Sequence, residues 1–460
     1  MREAARLLPP ECRATVRGNA DAVFARVHTD TRSLQAGDLF VAIRGERFDG
    51  NAFLAQAAAA GAVAALVHPT AELPEGFPAV VVADTKQALA ALAHAWRMRF
   101  AIPLAVVTGS NGKTTTKEMI ASIFRAAVGD AAVLATAGNL NNDIGLPLTL
   151  LRLRAQHRLA VIELGMNHPG ETAQLARLAA PTVALVNNAQ REHQEFMATV
   201  EAVAQEHADA LRVLGPRGVA VFPADDTYTD LWRQAAAGRH VLTFSTHPET
   251  DSACLAGLSS QNGLEIRIQR GSTISNAGVN LNIDGTHNHH NALAAAAVAV
   301  ACGLDDDAIV RGLESFRPAK GRMQRVGGLP FALIDDSYNA NPDSVRAAIN
   351  VLAPLAGKRV LVLGDMGEVG DQGPAFHAEV GRFAAEQRID LLVATGEACR
   401  EAVRACAAAG GRAVHVGTPA AAVDALMQEQ PGAGDTVLVK GSRFMAMERV
   451  VEEIKKRGGA

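Results

Sequence analysis

The sequence predicts an α/β protein of three domains: a central α/β domain flanked by a small N-terminal α/β domain and a C-terminal doubly wound, Rossmann-like one. Three observations predict it. A chain of 460 residues is too long for one hydrophobic core. Near residue 104 an apolar run breaks into glycine, then Gly-Lys-Thr, then helix-forming residues, the order strand, loop, helix. Beyond residue 318, short apolar runs alternate with helical patterns, as in a parallel sheet covered on both faces. The boundaries drawn from these shifts are 1–100, 101–318 and 319–460.

Composition narrows the function classes. With 48% hydrophobic and 20% charged residues the chain reads as soluble and globular. A net charge of −4 argues against a general nucleic-acid binder, which needs a basic face to displace counterions. The first residues lack the apolar core of a signal peptide, and the Ala-rich runs at 55–67 and 291–304 are too short to span a bilayer. Five scattered cysteines, Cys12, Cys254, Cys302, Cys399 and Cys406, point to a reducing, cytoplasmic setting.

In the N-terminal domain, His28-Thr29-Asp30-Thr31-Arg32-Ser33 leads through a turn into an apolar strand at 39–43. A polar loop from Arg44 to Asn51, an Ala-rich helix and strands near 64–67 and 79–82 follow. A helix capped by Asp84 or Thr85 runs to about Phe100.

The central domain opens with Thr108-Gly109-Ser110-Asn111-Gly112-Lys113-Thr114-Thr115-Thr116. Its glycines let backbone N–H groups turn inward around an anion, Lys113 adds a point charge, and Thr114 offers a hydroxyl to a metal. The following helix lends the positive end of its dipole. A nucleoside triphosphate with Mg²⁺ is the natural ligand, so the domain is read as P-loop ATPase-type. The loop is a short variant, because only Ser110 and Asn111 separate Gly109 from Gly112, where the standard motif has four residues.

Next comes a loop with Asn139, Asn141 and Asn142 between Gly138 and Gly145; such a loop can donate amide hydrogen bonds to anionic oxygens, and the same composition also makes an ordinary turn. An apolar strand then ends in Glu163, where a Mg²⁺ ligand or water-positioning group belongs. His193 follows the strand at 183–186 on the same sheet edge. A helix from about 200 to 214, two further strands and an alternating stretch from 254 to 283, as of antiparallel strands, lead to Thr286-His287-Asn288-His289-His290-Asn291. The three histidines do not have a zinc-motif spacing. Asn288 and Asn291, three apart at a helix start, can read a base edge through their amides.

The C-terminal domain begins after Arg317-Pro318, with Arg322 in the connection. A strand ending in Asp335-Asp336-Ser337-Tyr338-Asn339-Ala340-Asn341 and strands near 359–363, 391–395, 413–416 and 436–439 alternate with helices. Lys440 and Arg443 sit just past the last of them.

Several of these segments, in this order, resemble the Mur ligases, the ATP-dependent amide-forming enzymes of peptidoglycan synthesis. The shortened loop is similar to that family's ATP loop, 285–291 to its adenine-reading segment, and Arg322 to its linker arginine. The Asn-rich loop and the 336–342 segment look most like the members that add D-alanyl-D-alanine. The resemblance implies an acyl-phosphate mechanism joining that dipeptide to UDP-N-acetylmuramoyl-tripeptide, for cell-wall synthesis, shape and division, by a cytoplasmic monomer using ATP and Mg²⁺.

By the resemblance, Thr31 and Arg32 would hold the UDP end of the substrate. Residues 108–115 would bind ATP with Asn288, Asn291, Arg322 and Asp336. Thr114 would hold the ATP-linked Mg²⁺, and Glu163 and His193 a second ion, with Lys113 offsetting phosphoryl charge. Asn139, Asn141, Asn142, Asn339, Asn341, Lys440 and Arg443 would face the acceptor and dipeptide. One departure stands out. Where relatives carry a carbamylated lysine as second-metal ligand, this chain has His207, which cannot carry a carbamate. His207 is therefore expected to ligate or hydrogen-bond near the metal, or water or Glu206 to take that function. A second departure is Asn51, where relatives often have His. Competing readings are another ligase of the superfamily and an NTP-driven switch.

Overall fold

The structure, a computed structural model, describes residues 1–45, 48–247, 255–260 and 263–458. Glu46 and Arg47 of the expected polar loop, and Cys254, lie outside them. The described residues build three sheets. In the first, the strands Arg26–His28, Asp38–Val41, Ala64–Val67 and Ala79–Val81 run parallel, with Thr15–Arg17 antiparallel at the edge. The helix Thr85–Arg97 leaves this unit, its start fixed by Asp84, whose carboxylate accepts from the Lys86 and Gln87 N–H groups.

The central sheet places Leu104–Thr108 between Leu159–Glu163 and Val183–Val186, all parallel. The chain order reverses at Leu104–Thr108, so the cleft at its C-terminal end is the topological switch point where α/β sheets bind ligands. Leu104–Thr108 and Leu159–Glu163 are buried along their whole length, which is why both read as unbroken apolar runs. Beyond Val219–Pro223 and His240–Ser245 the sheet continues through Leu255–Ser260 into the antiparallel strands Gly263–Arg270 and Thr273–Val279. The buried helix Thr286–Ala301 packs across this sheet, Ala upon Ala.

The third sheet has the order Gln324–Val326, Ala332–Asp336, Thr436–Lys440, Arg359–Gly364, Leu391–Thr395, Ala413–Val416, parallel except for its first strand. Helix Pro342–Leu352 starts on a capping box in which Asn341 and Ser344 exchange side-chain to backbone hydrogen bonds. Among the described residues no helix is long and apolar enough to cross a membrane.

The units are fastened to one another by arginines. Arg97, 4% exposed, ends its helix by donating to the Ala179 and Ala180 carbonyls of the central unit. Arg191 of the central unit reaches Asp343 at 2.5 Å and Glu379 at 2.7 Å in the third, with its guanidinium over the Phe376 ring. That hydrogen bond to Arg191 holds Glu379 below the usual carboxylate range. A carboxylate depressed in the folded state contributes stability above its ordinary value and loses it as pH falls through the lowered one. Arg191→Met is therefore expected to weaken the docking of the third unit by roughly 2 kcal/mol. Small-angle scattering should show a larger radius of gyration at neutral pH, and the wild type should approach that value only on acidification. Identical scattering for both proteins would remove the arginine's role as a fastener.

Candidate active site

The loop after Leu104–Thr108 curls around its own lysine. Gly109 sits at φ +133°, and a Cβ there would lie 2.9 Å from the Asn187 Cβ. Gly112, at φ +80°, begins the helix Lys113–Val128. Lys113 Nζ donates to the Gly109 carbonyl at 2.6 Å and the Ser110 carbonyl at 3.1 Å, and pairs with Glu192 Oε2 at 3.1 Å. The free N–H groups at the helix start and the ammonium converge on one point, the arrangement that cradles phosphate.

Glu163 lies beside it, 3% exposed. Thr114 Oγ1 donates to its Oε2 at 2.7 Å and Asn141 Nδ2 to its Oε1 at 2.8 Å. Among the described residues, none with a positive charge pairs with it. A buried carboxylate satisfied only by neutral donors, next to a hydroxyl and a phosphate loop, fits a hard divalent cation.

The second buried carboxylate, Glu192, is one that sequence reasoning misses. Its Oε1 accepts from His207 Nε2 at 3.0 Å, while Oε2 faces Lys113. Burial pushes its pKa up, but the Lys113 charge and the His207 hydrogen bond outweigh this and hold it down to about 2. His193 Nε2 is 3.8 Å from Glu192 Oε2, and its Nδ1 lies 2.7 Å from the Glu368 carboxylate of the third unit. His193 and Glu368 both hold left-handed backbone, at φ 48° and 58°. Such strain persists where the surroundings over-determine it, here where two units meet.

For His207 the expectation is ligation of the metal or a hydrogen bond beside it. The ring is fully buried, and its Nδ1 pairs with the Thr108 hydroxyl at 2.9 Å while Nε2 holds Glu192. Both nitrogens are hydrogen-bonded, one of them to the Glu192 carboxylate. The Glu206 oxygens accept from the Gly170 and Thr172 N–H groups at the start of another helix.

The base-reading expectation also meets a different geometry. Asn288 and Asn291 line the cleft, but their amides are engaged with protein. Asn291 donates to Asn288 Oδ1 and accepts from Asn187 Nδ2, which also donates to the Asn111 carbonyl. This chain of amides ties the helix Thr286–Ala301 to the phosphate loop. Of the three histidines, His290 Nε2 meets the Asn187 carbonyl at 2.8 Å. Enclosure in the cleft wall, and then the charge of Lys440, lower His287 to about 4, so it is neutral at pH 7.

From the third unit, Asn341 Nδ2 donates to Asn111 Oδ1 at 2.9 Å, bringing the two loops together. Lys440 Nζ meets Asp336 Oδ2 at 2.6 Å, and Asp336 Oδ1 accepts from the Met323 N–H. The Arg322 guanidinium lies 4.1 Å from the Tyr338 ring centre. The resulting cleft, about 1330 Å³, brings Ser110, Asn111, Gly112, Lys113, Thr114 and Thr115 together with Asn141, Asn142, Glu163, His193, Arg322, Asp336, Asn339, Asn341 and Lys440. Thr108 and Gly109 lie beneath it. It does not include Asn139, which is exposed, or Arg443, which is exposed and pairs with Glu448. Thr31 and Arg32 stand apart at the edge of the N-terminal sheet, with Arg32 pinned to Asp30 at 2.6 Å. Asn51 is turned onto its neighbour Asp49.

Arg191 is missed along with Glu192. The signal for Glu192 is a carboxylate adjacent to His193 in the loop after a strand; Glu368 belongs to the polar stretch 364–368 at the C-terminal end of another strand, and only the placing of the third unit brings it to His193. A further cluster with metal-type donors, Asp365, His377 and Cys399, uses its atoms internally. His377 bonds the Gly373 carbonyl and the Met366 N–H, and Asp365 caps a helix at the Cys399 N–H.

Comparison with known proteins agrees along the length of the chain. Residues 24–97 match the Mur ligase family catalytic domain, 107–299 the Mur ligase middle domain, and 321–443 the Mur ligase glutamate ligase domain. The chain is 40% identical over 446 residues to UDP-N-acetylmuramoyl-tripeptide–D-alanyl-D-alanine ligase of Escherichia coli (strain K12), covering 95% of each. The crystal structure of MurF from Acinetobacter baumannii superposes with a TM-score of 0.87 at 34% identity, over 98% of both chains. MurF ligase from Thermotoga maritima in complex with ADP gives 0.80 at 25% identity, over 95% of this chain and 98% of that one.

Proposed function

The chain belongs to the Mur ligase family, and from that premise we propose that it joins D-alanyl-D-alanine to UDP-N-acetylmuramoyl-tripeptide, with ATP converted to ADP and phosphate. The observation that carries this reading is the pairing of Asn111 with Asn341, which sets the phosphate loop against the polar edge of the third unit in one cleft. A nucleotide switch has no need of that second polar edge. A ligase needs it, because nucleotide, acceptor carboxylate and amine must meet out of water.

The chemistry follows from what a carboxylate lacks. It is a poor electrophile, since its charge repels an amine and oxide cannot leave. In the first step a tripeptide carboxylate oxygen bonds to the γ-phosphorus, the bond to the β-bridging oxygen breaks, and ADP departs. In the second, the dipeptide amine attacks the acyl carbon, the tetrahedral intermediate collapses with loss of phosphate, and the amine's proton is released. Lys113 and the N–H groups of the helix start offset charge on the transferring group, where most of such catalysis lies.

Magnesium fits the donor set. Thr114 would hold the ATP-linked ion, and Glu163 and His193 a second; bound there, the ions would screen phosphate charge from the approaching carboxylate. Arg322 and Asp336 are assigned to the nucleotide. Asn288 and Asn291 support it by holding the loop. Asn141, Asn142, Asn339, Asn341 and Lys440 are assigned to the acceptor and dipeptide side, and Thr31 and Arg32 to the UDP end. The three domains, at 1–100, 101–318 and 319–460, would divide sugar-nucleotide binding, ATP binding and closure between them. A cytoplasmic, monomeric enzyme suits these substrates.

The test is phosphate release from Mg·ATP with UDP-N-acetylmuramoyl-tripeptide, with and without D-alanyl-D-alanine, with mass detection of product. Turnover is expected only with the dipeptide, and the product should be the pentapeptide. Hydrolysis indifferent to both would favour the switch, and turnover with a different amine would change the substrate assignment.

A further inference from the structure

We propose that Glu192 is a direct ligand of the cation that His193 helps to hold, and that His207 is its positioning residue. The inference deepens the two-ion reading above and rests on it. Glu192 is a carboxylate 6% exposed, it lines the same cleft as Glu163 and Thr114, and one of its oxygens faces that cleft beside Lys113. Two atoms bound to one Mg²⁺ at about 2.1 Å lie no more than about 4.2 Å apart. Neighbouring ligands of an octahedral ion lie about 3 Å apart, and Glu192 Oε2 and His193 Nε2, at 3.8 Å, reach that separation by a closing movement of under about 1 Å.

The partners fix the roles. The Glu368 carboxylate lies on the Nδ1 side of His193, at 2.7 Å, and Nε2 is the ring nitrogen turned toward Glu192. His207 Nε2 occupies Glu192 Oε1, which aims Oε2 into the cleft, and the Thr108 hydroxyl fixes His207 from its other side. Thr108 is the last residue of the strand that carries the phosphate loop. The carboxylate is thereby tied to the same strand as the nucleotide site. Lys113, which meets Oε2 here, is the residue assigned to the phosphates, and on engaging them it would release that oxygen. A histidine at 207 therefore supplies orientation, and the carboxylate comes from the neighbouring loop, so the site needs no carbamate.

Mn²⁺ binding to the full-length protein saturated with ADP, counted by electron paramagnetic resonance, tests this without turnover. Wild type is expected to hold two Mn²⁺ per chain and Glu192→Gln one, each variant melting as a folded protein. His207→Ala should weaken the second Mn²⁺ about 10- to 100-fold, as loss of an orienting partner does. His207→Gln, which can still donate to Glu192, should recover most of that loss. Two ions of unchanged affinity in Glu192→Gln would overturn the proposal while leaving the two-ion reading intact. One ion in the wild type would instead remove that reading, and this proposal with it. Should Glu192→Gln fail to fold, the His207 pair decides: equal Mn²⁺ affinity in His207→Ala and wild type overturns it.

Discussion

Lys113→Met is expected to lower kcat by about 10³-fold or more while changing ADP affinity far less, because the charge acts chiefly on the phosphoryl group in flight. The geometry supports that split. Lys113 Nζ is held by the Gly109 and Ser110 carbonyls and Glu192, so the loop is built around the ammonium. The nucleotide's other partners, the N–H groups at the start of Lys113–Val128, survive the substitution. Single-turnover phosphate release at saturating ATP, beside ADP titration, separates the two quantities. A fall in ADP affinity matching the fall in kcat would mean that Lys113 serves ground-state binding instead.

The second large effect is structural. Gly112→Ala should destabilise the central unit by roughly 3 kcal/mol, combining the cost of a left-handed alanine with a lost buried hydrogen bond. At φ +80° the new Cβ would sit 2.4 Å from Asn291 Oδ1 and 2.9 Å from Asn187 Nδ2. It would part the two amides that brace the loop, so ADP binding should fall with the melting temperature. Gly170→Ala is the control: its backbone, φ +91° and ψ −12°, is left-handed like that of Gly112 and also opens a helix, but nothing lies within 4 Å of the added carbon. It should show the conformational cost alone, about 1 kcal/mol. Equal effects at both positions would mean that the amide contacts contribute nothing.

Much of the fold is legible in the chain because its signals are local. Leu104–Thr108 announces itself as a buried parallel strand by an unbroken apolar run, and Gly112 marks the left-handed entry to a helix. Asp84 names its own helix start, since a side-chain acceptor two or three residues ahead of free N–H groups works wherever the chain goes. The alternation that separates the antiparallel strands Gly263–Arg270 and Thr273–Val279 from the buried parallel ones is likewise a property of the segment itself.

The site is only half legible for the converse reason. Local order by itself determined the phosphate loop and the placing of Glu163 at a strand end, because motif, spacing and sheet edge are all read along one stretch of chain. Only the tertiary structure decided that Glu192 faces Lys113, that His207 props it, and that Glu368 comes across from the third unit to His193. These partners are separated by 79, 15 and 175 positions. No periodicity connects such residues, and their charges are matched by the low dielectric and fixed geometry of a packed interior that exists only after the units have come together.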